Sequence, residues 1–244
     1  MPRPFRKSSR ILDTEGKAIV AQLLVSQGYR ELAAAYVFGA SLRLAPSLDD
    51  KMLLADQVRE ELEHFEAVAA LYEDVRAGDL LSAVGERAAD VPLPGSWIEV
   101  AVCQFLFDRA GKFQIQEYRS SSYAPYAEIV GTILADEEGH GAAGEATVRD
   151  LCQADHPDPA FRPLAQVHFE RWLRTSLLSF GRPGTPNDRR AVELGFKARP
   201  AADVIRDYLR DLQPAMKACG LRFPSRESLG LDLPDDVPIH RKDG

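Results

Sequence analysis

Cysteines and long apolar runs are scarce in this chain of 244 residues, and it has no net positive charge. Cys103, Cys152 and Cys219 are widely separated, so they form neither a CxxC metal pair nor a disulfide framework, and we expect them to be reduced. No apolar run approaches the roughly 18 residues that cross a membrane, and no signal-peptide pattern opens the chain. We therefore expect a cytoplasmic protein that does not enter a membrane.

The third feature is that acidic residues outnumber basic ones. Lys and Arg total 30 against 37 Asp and Glu, which leaves a net charge of −7. Nucleic acids and anionic membrane surfaces bind basic proteins, so neither is expected as a partner. The one basic cluster lies at the amino terminus, where a solvated segment is expected. It consists of Arg3, Arg6, Lys7 and Arg10.

Helical periodicity is present over most of the chain. Apolar residues recur at three- and four-residue steps, as between Leu24 and Leu42, and an apolar content of 45% is enough for a core. Pro46 interrupts the first helical pattern, and Ser47 is a suitable N-cap for the next one. The pattern predicts no strand and four long helices, at about residues 14–45, 48–75, 97–119 and 126–153.

The stretch between the second and third helices is rich in glycine and proline, from Gly78 to Gly95, and is too long for a tight turn. Two helical hairpins joined by one long crossover are the connectivity of ferritin-like bundles. We therefore predict an all-α fold, with a single ferritin-like domain over 1–244 whose four-helix bundle occupies about 14–155.

Additional helices are predicted after the bundle. A C-terminal helical extension is expected at about 160–224, with a helix at about 160–180, a loop at 180–188 and a last helix from about 200. Pro214 should kink or end that last helix, because proline removes a backbone donor. The tail, 225–244, is rich in Asp and Pro and is expected to lie on the surface.

Two Glu-x-x-His motifs carry the strongest chemical signal, one from Glu61 to His64 and one from Glu137 to His140. Residues three apart share a helix face, so each motif directs a carboxylate and an imidazole to one place. A single motif of this kind is weak evidence. Two motifs at matching places in two predicted hairpins are much more specific.

Each predicted hairpin also carries one acid opposite its motif. Glu31 and Glu61 are equidistant from Pro46, and Asp108 and Glu137 are equidistant from the turn predicted at 122–123. Residues equidistant from the turn lie side by side in an antiparallel hairpin. In the di-iron carboxylate arrangement, two helices each supply one acid and the other two each supply a Glu-x-x-His motif. This sequence has that pattern, with Asp108 in place of one Glu. The predicted metal ligands, which are also the predicted catalytic residues, are Glu31, Glu61, His64, Asp108, Glu137 and His140.

Charge balance favours a metal. Four carboxylates buried in one bundle repel each other and lose hydration unless cations compensate. Two divalent ions balance their charge, and mixed carboxylate and imidazole ligands suit iron or manganese better than zinc. Small residues near the ligands predict space for oxygen and an organic substrate, which an iron store does not need. They are Gly28, Ala34, Ala35, Ala101, Gly111, Gly141 and Gly144.

The candidate ligands also have interpretations without a metal. Asp108 is either a ligand or a surface acid paired with Arg109, and the histidines are either ligands or hydrogen-bonded core residues. Gln104 and Lys112, one turn either side of Asp108, either support the site or stabilise the fold. His168 is expected to be structural. The neighbouring acids that helix geometry directs into solvent are Glu60, Glu63, Glu66 and Glu138.

The sequence resembles the catalytic subunits of phenylacetyl-CoA epoxidase, a bacterial multicomponent oxygenase of the phenylacetate pathway, over about residues 16–224. An aspartate on the third helix is what that family has. The similar segments are Tyr29-Arg30-Glu31-Leu32, Glu60-Glu61-Leu62-Glu63-His64, Phe105-Leu106-Phe107-Asp108, Ser122-Tyr123-Ala124-Pro125-Tyr126-Ala127, Glu137-Glu138-Gly139-His140, Arg171-Trp172, Phe180-Gly181 and Pro186-Asn187.

The resemblance implies a non-haem di-iron monooxygenase that inserts one oxygen atom from O2 into an aromatic acyl-CoA. It also implies two irons, electrons from an external reductase, a homologous non-catalytic subunit and assembly into an oligomer. Two alternatives stay open. One is a di-metal oxygenase that acts on a carrier-free metabolite, and the other is a non-catalytic metal-binding scaffold or iron store.

Overall fold

The computed structural model describes residues 12–76, 78–153 and 155–240, and over these ranges the protein is all-α. The helices are α1 (Thr14–Ser41), α2 (Leu48–Arg76), α3 (Leu80–Ala89), α4 (Trp97–Ile115), α5 (Ala124–Leu151), α6 (Phe161–Ser179), α7 (Pro186–Glu193), α8 (Ala201–Ala218) and α9 (Arg226–Leu229). A 3-10 turn, Gln116–Tyr118, follows α4. Every helix in the described ranges is too short or too polar to cross a bilayer.

Side-chain caps determine where the first three helices begin. Asp13 accepts a hydrogen bond from the backbone N–H of Gly16 (2.7 Å) at the start of α1. Oγ of Ser47 accepts one from the N–H of Asp50 (3.1 Å) at the start of α2, where the sequence predicts an N-cap. Asp79 caps α3 in the same way. Each cap satisfies a backbone donor that has no partner within its helix, and such caps stabilise a helix by about 1 kcal/mol.

The contacts within the chain divide it into two compact units. Unit 1 consists of the described residues up to Leu93, with Ile115–Leu134 and Arg189–Ala198. Unit 2 consists of Pro94–Gln114, Ala135–Asp188 and the described residues from Arg199 onwards. Helices α1, α2 and α3 therefore belong to unit 1, and α6, α8 and α9 belong to unit 2. The assignment of one domain to residues 1–244 stays a prediction.

In unit 1, α1 and α2 pack side by side as the first predicted hairpin, and α3 packs against α1. The apolar core of the unit includes Leu24, Leu32, Val68, Leu71 and Leu80, all buried. Burying an aliphatic side chain of this size contributes about 1.5–3 kcal/mol relative to leaving it exposed. The hairpin that carries the first candidate ligands is therefore held by its own apolar core.

In unit 2, α4 runs antiparallel to the part of α5 that follows Leu134. The backbone of Phe105 lies against Gly144, and the backbone of Arg109 lies against Gly141. Residue numbers therefore rise along one helix as they fall along the other. This pair is the part of the second predicted hairpin that carries Asp108 and the second Glu-x-x-His motif.

The C-terminal helices complete the core of unit 2. The hydroxyl of Tyr208 on α8 donates a hydrogen bond to the carbonyl of Leu106 (3.2 Å). The ring of Trp172 on α6 lies edge-on to Phe107, with 5.7 Å between ring centres. Trp172 and Tyr208 are both buried. The extension therefore packs against α4, the helix that carries Asp108.

The predicted all-α class, the four long helices and the additional C-terminal helices are confirmed, and the fold is consistent with a ferritin-like bundle. Three short helices in the described ranges were not predicted: α3, α7 and, within the predicted tail, α9. Helix α3 lies in the crossover, where Gly85 obscures its pattern. Helix α7 occupies the end of the predicted loop, so the loop prediction was wrong from Pro186 onwards. Proline is favoured in the first helical turn, where its missing N–H costs nothing.

The predictions for Pro214 and for the tail need correction. Pro214 does not end α8, which continues to Ala218 with Leu212 and Met216 on its buried face, and the alternative of a kink at Pro214 stays a prediction. In the tail, Arg226 donates hydrogen bonds to the carbonyl groups of Leu233 and Ile239, each at 3.0 Å. The buried apolar residues of the tail are Leu229, Leu233, Val237 and Ile239, so the tail is anchored rather than merely lying on the surface. The predicted basic cluster from Arg3 to Arg10 lies outside the described residues.

Candidate metal centre

Three of the predicted ligands meet inside unit 1. Glu31 on α1 and Glu61 and His64 on α2 each present a ligand atom, and these atoms all lie within 4.8 Å of one another. The residues are buried, with 1%, 1% and 3% of their surface exposed. Nδ1 of His64 lies 3.7 Å from Oε2 of Glu31 and 3.9 Å from Oε2 of Glu61. The first hairpin thus brings together the acid and the motif that the sequence places side by side.

Burial and mutual attraction shift the titration of this triad. Burial raises the pKa of Glu31 to about 6, with His64 opposing the shift and Glu61 adding to it. Burial also disfavours the charged form of His64, but the two carboxylates outweigh this effect and raise the pKa of His64 to about 11. At neutral pH an imidazolium therefore offsets part of the charge of the two buried carboxylates when no metal is bound. The site needs a cation, which is either a proton or a metal ion.

One residue at this site was missed by the sequence analysis. Gln27 lies one turn before Glu31 on α1, is 1% exposed, and donates a hydrogen bond from Nε2 to Oε1 of Glu31. Its own Oε1 accepts a hydrogen bond from Arg30. The available signal was its four-residue spacing from a candidate ligand, which places both side chains on one helix face.

The other three predicted ligands lie in unit 2 and are also buried. Asp108, Glu137 and His140 have 3%, 7% and 4% of their surface exposed. Among the described residues they do not form a second triad whose ligand atoms all lie within 4.8 Å. Gly111 makes room for Glu137, because a Cβ atom at Gly111 would overlap both carboxylate oxygens of Glu137. The carboxylate of Glu137 therefore lies against the backbone of α4 at a position where the residue has no side chain.

The register of α4 and α5 differs from the prediction. Asp108 was expected to lie level with Glu137, but Glu137 lies at Gly111, and the backbone of Asp108 lies near Gly141. The difference is three to four residues, which is about 4.5–6 Å along a helix. Residues equidistant from a turn lie level only where two helices meet at a tight turn, whereas the 3-10 turn Gln116–Tyr118 and a loop separate α4 from α5.

The prediction that small residues leave space beside the ligands was wrong at three glycines. A Cβ atom at Gly28 would lie 2.5 Å from Cδ2 of Leu80, and one at Gly144 would lie 2.5 Å from the backbone nitrogen of Phe105. The space at Gly111 is taken by Glu137. Other parts of the protein occupy each of these gaps. These glycines allow close packing between helices rather than providing room for a substrate.

The acids beside the motifs lie where helix geometry predicts. Glu63, Glu66 and Glu138 are exposed, and Arg59 forms ion pairs with Glu60 and Glu63. Such exposed ion pairs contribute little to stability. The acids of the two motifs therefore lie on the buried helix faces and their neighbours on the exposed faces, as the motif spacing predicts.

The interpretation of Asp108 as a surface acid paired with Arg109 is excluded by its burial. Arg109 instead forms ion pairs with Glu145 and Asp211. Lys112 pairs with Glu138 at 3.3 Å, and both side chains are partly exposed. Lys112 is therefore engaged in a surface ion pair, which favours its structural interpretation.

His168 lies beside a different buried acid. Nδ1 of His168 is 3.4 Å from Oε1 of Glu99, which also accepts hydrogen bonds from Trp172 (2.9 Å) and Arg171 (3.0 Å). The backbone N–H of Gly95 donates to the other oxygen of Glu99. This cluster joins the start of α4 to α6, as expected for a structural histidine.

The chain is similar to a known protein family. The family described as phenylacetic acid catabolic protein matches residues 8–232. No curated protein matches the chain significantly. The match spans both units and both Glu-x-x-His motifs. The chain therefore belongs to the phenylacetic acid catabolic protein family.

Proposed function

We propose that this chain is a non-haem di-iron monooxygenase that inserts one oxygen atom from O2 into an aromatic acyl-CoA. Its proposed ligands are Glu31, Glu61, His64, Asp108, Glu137 and His140. The family supports an aromatic substrate, since its members act in the catabolism of phenylacetic acid. The resemblance to the epoxidase subunits supports the CoA thioester, the external reductase and a homologous non-catalytic partner.

The donor set in unit 1 fits iron. Two carboxylates and one imidazole are hard and intermediate ligands of the kind that iron and manganese accept, whereas structural zinc sites favour thiolate and imidazole. A divalent ion would also replace the proton of His64 and balance both buried carboxylates. The three cysteines are free and buried, and none belongs to the triad.

The residues of the chain would hold the metal and keep water away from it. Glu31 and Glu61 would each present a carboxylate oxygen, and His64 would present a ring nitrogen after losing its proton. Phe38, on the side of the triad towards the α1–α2 turn, and Val68, on the opposite side, are both buried and apolar, so the hairpin is dry on either side of the site. When bound, the irons would supply the redox chemistry that activates O2.

The buried triad of Glu31, Glu61 and His64 is the observation that carries this proposal. We expect about two irons per chain after anaerobic reconstitution with ferrous iron, because six ligands complete two sites. Metal analysis of the reconstituted protein measures this number. A result near zero would contradict the proposal. Two irons without substrate-dependent oxygen consumption, in the presence of a reductase and phenylacetyl-CoA, would favour the scaffold function.

Turnover should require a separate reductase. Activation of O2 at two ferrous irons consumes two electrons, and the sequence has neither a nucleotide-binding loop nor a cysteine cluster for an iron–sulfur centre. We expect at most one turnover per di-iron centre from the chemically reduced protein and sustained turnover only with an added reductase. Oxygen consumption with NADH or NADPH, with and without reductase, measures this. Sustained turnover by the chain alone would contradict the prediction.

Metal binding should release protons and weaken at low pH. In the metal-free protein the pKa of His64 is raised to about 11, so a metal ion must displace a proton from its ring at any pH below that value. The apparent affinity for the metal ion should therefore fall about tenfold for each unit by which the pH is lowered. The slope should steepen below the pKa of Glu31, about 6, because a second proton must then leave. Titrations with Mn²⁺ between pH 5.5 and 8 measure this, and a pH-independent affinity would contradict it.

A further inference from the structure

Gln27 contacts three side chains that belong to unit 1. Its Nε2 donates to Oε1 of Glu31. Its Oε1 accepts hydrogen bonds from Arg30 and from the hydroxyl of Tyr126, the latter at 3.4 Å. Arg30 is itself held by a hydrogen bond of 3.0 Å to Oγ of Ser26. A buried amide thus lies between a candidate metal ligand and two donors.

Arg30 determines which way this amide faces. A guanidinium group has donors and no acceptor, so the amide atom that it contacts must be the oxygen. The amide nitrogen of Gln27 must therefore face Glu31, and the alternative orientation with oxygen and nitrogen exchanged is excluded. A nitrogen with two hydrogens donates and does not accept, so Oε1 of Glu31 is held as an acceptor.

The two oxygens of Glu31 consequently differ. Oε1 is engaged by Gln27, whereas Oε2 is the oxygen that lies 3.7 Å from Nδ1 of His64. A hydrogen bond to one oxygen occupies a lone pair and fixes the orientation of the carboxylate, which favours metal binding through the other oxygen. Without that hydrogen bond both oxygens are available, and the carboxylate can rotate or chelate.

We propose that Gln27 is a positioning residue of the metal site, which holds Oε1 of Glu31 so that only Oε2 binds the metal ion. This inference rests on the proposed function, since it requires that Glu31 be a ligand. Gln27 touches no metal in this scheme and acts only through Glu31. Arg30 contributes by fixing the orientation of the amide of Gln27.

The test uses Co²⁺ as a spectroscopic substitute for ferrous iron in the full-length protein. The visible bands of Co²⁺ are intense in four- and five-coordinate sites and weak in six-coordinate sites, so they report a change of Glu31 from one bound oxygen to two. Gln27→Met removes the donor at nearly the same size. Gln22 is exposed on the same helix, α1, so Gln22→Met is the control for this substitution.

We expect Gln27→Met to bind one Co²⁺ roughly 10- to 100-fold more weakly, the range seen for groups that orient metal ligands. Its visible absorption per bound ion should also decrease, whereas Gln22→Met should match the unmodified protein. A lower melting temperature of metal-free Gln27→Met with an unchanged Co²⁺ affinity and spectrum would show a merely structural role and overturn the proposal.

A second pair of variants tests the proposal if Gln27→Met does not fold. Arg30→Lys keeps a donor to the amide oxygen, and Arg30→Met does not. We expect Arg30→Met to shift the Co²⁺ spectrum in the same direction as Gln27→Met, and Arg30→Lys to retain the original spectrum. If Arg30→Met, Arg30→Lys and the unmodified protein gave identical Co²⁺ spectra, the proposal that the amide of Gln27 orients Glu31 would be overturned. Failure of the unmodified protein to bind Co²⁺ or iron would instead refute the proposed function itself.

Discussion

Replacing His64 with alanine is expected to remove metal from the triad in unit 1 and to destabilise the metal-free protein. The imidazolium of His64 is the cation that faces Glu31 and Glu61, and all three residues are buried. Removing one partner of a buried ion pair costs about 3–5 kcal/mol, because the remaining charge stays buried without compensation. The loss of stability should become smaller as the pH falls, because Glu31 then takes up a proton, and without His64, which lowers the pKa of Glu31, this happens at a higher pH than in the unmodified protein.

Glu63→Gln is the matched control for this variant. Glu63 is adjacent to His64 in sequence, but one residue turns a helix by about 100°, so its side chain faces solvent. It pairs with Arg59, whose side chain is exposed as well. We expect unchanged iron content and an unchanged melting temperature. Iron content, oxygen consumption and thermal unfolding are measured for both variants. Loss of iron in Glu63→Gln and its retention in His64→Ala would show that the assigned ligand face is wrong.

Gly111→Ala should impair metal binding more than it impairs folding. The new methyl group would occupy the position of the carboxylate of Glu137. That carboxylate is the end of a flexible side chain, so it should move aside instead of forcing α4 and α5 apart. We expect iron affinity to fall roughly 10- to 100-fold, as when groups that orient a ligand are altered. The melting temperature should change by only a few degrees, since a cost of about 1 kcal/mol shifts it by that amount in a chain of this size.

Gly139→Ala is the control for this substitution. Gly139 lies inside the second motif, between Glu137 and His140, and a Cβ atom there would meet nothing within 4 Å. Alanine should therefore stabilise α5 by up to about 1 kcal/mol through its higher helix propensity. Iron titrations and thermal unfolding distinguish the two variants. Equal iron affinity in Gly111→Ala and the unmodified protein would show that Glu137 does not bind the metal with its carboxylate against Gly111.

Much of the candidate site in unit 1 was predictable from sequence because it depends on local geometry. The spacing of Glu61 and His64 places them on one helix face, and Pro46 and Ser47 locate the turn that brings Glu31 beside them. Gln27 was not predicted. A glutamine one turn from a candidate ligand has many ordinary roles, and only its contacts with Glu31 and Arg30 distinguish it.

The second candidate set shows where sequence reasoning fails. The positions of Asp108, Glu137 and His140 on their helices follow from spacing, but the register of α4 against α5 depends on how the connection between them is built. Gly111 was interpreted as space for a substrate, whereas it accommodates Glu137. Which neighbour fills the gap beside a glycine is a property of packing, and no local pattern records it.

The sequence by itself determined the helical class, the main helix boundaries, the two Glu-x-x-His motifs and the separation of buried from exposed acids. These features depend on periodicity, capping and spacing, which act within a few residues of each other. Only the tertiary structure decided the continuation of α8 through Pro214, the anchoring of the tail by Arg226 and the contacts made at Gly28, Gly111 and Gly144. These features depend on side chains that are distant in sequence, because the free energy of packing is set by whatever neighbour the fold brings into contact.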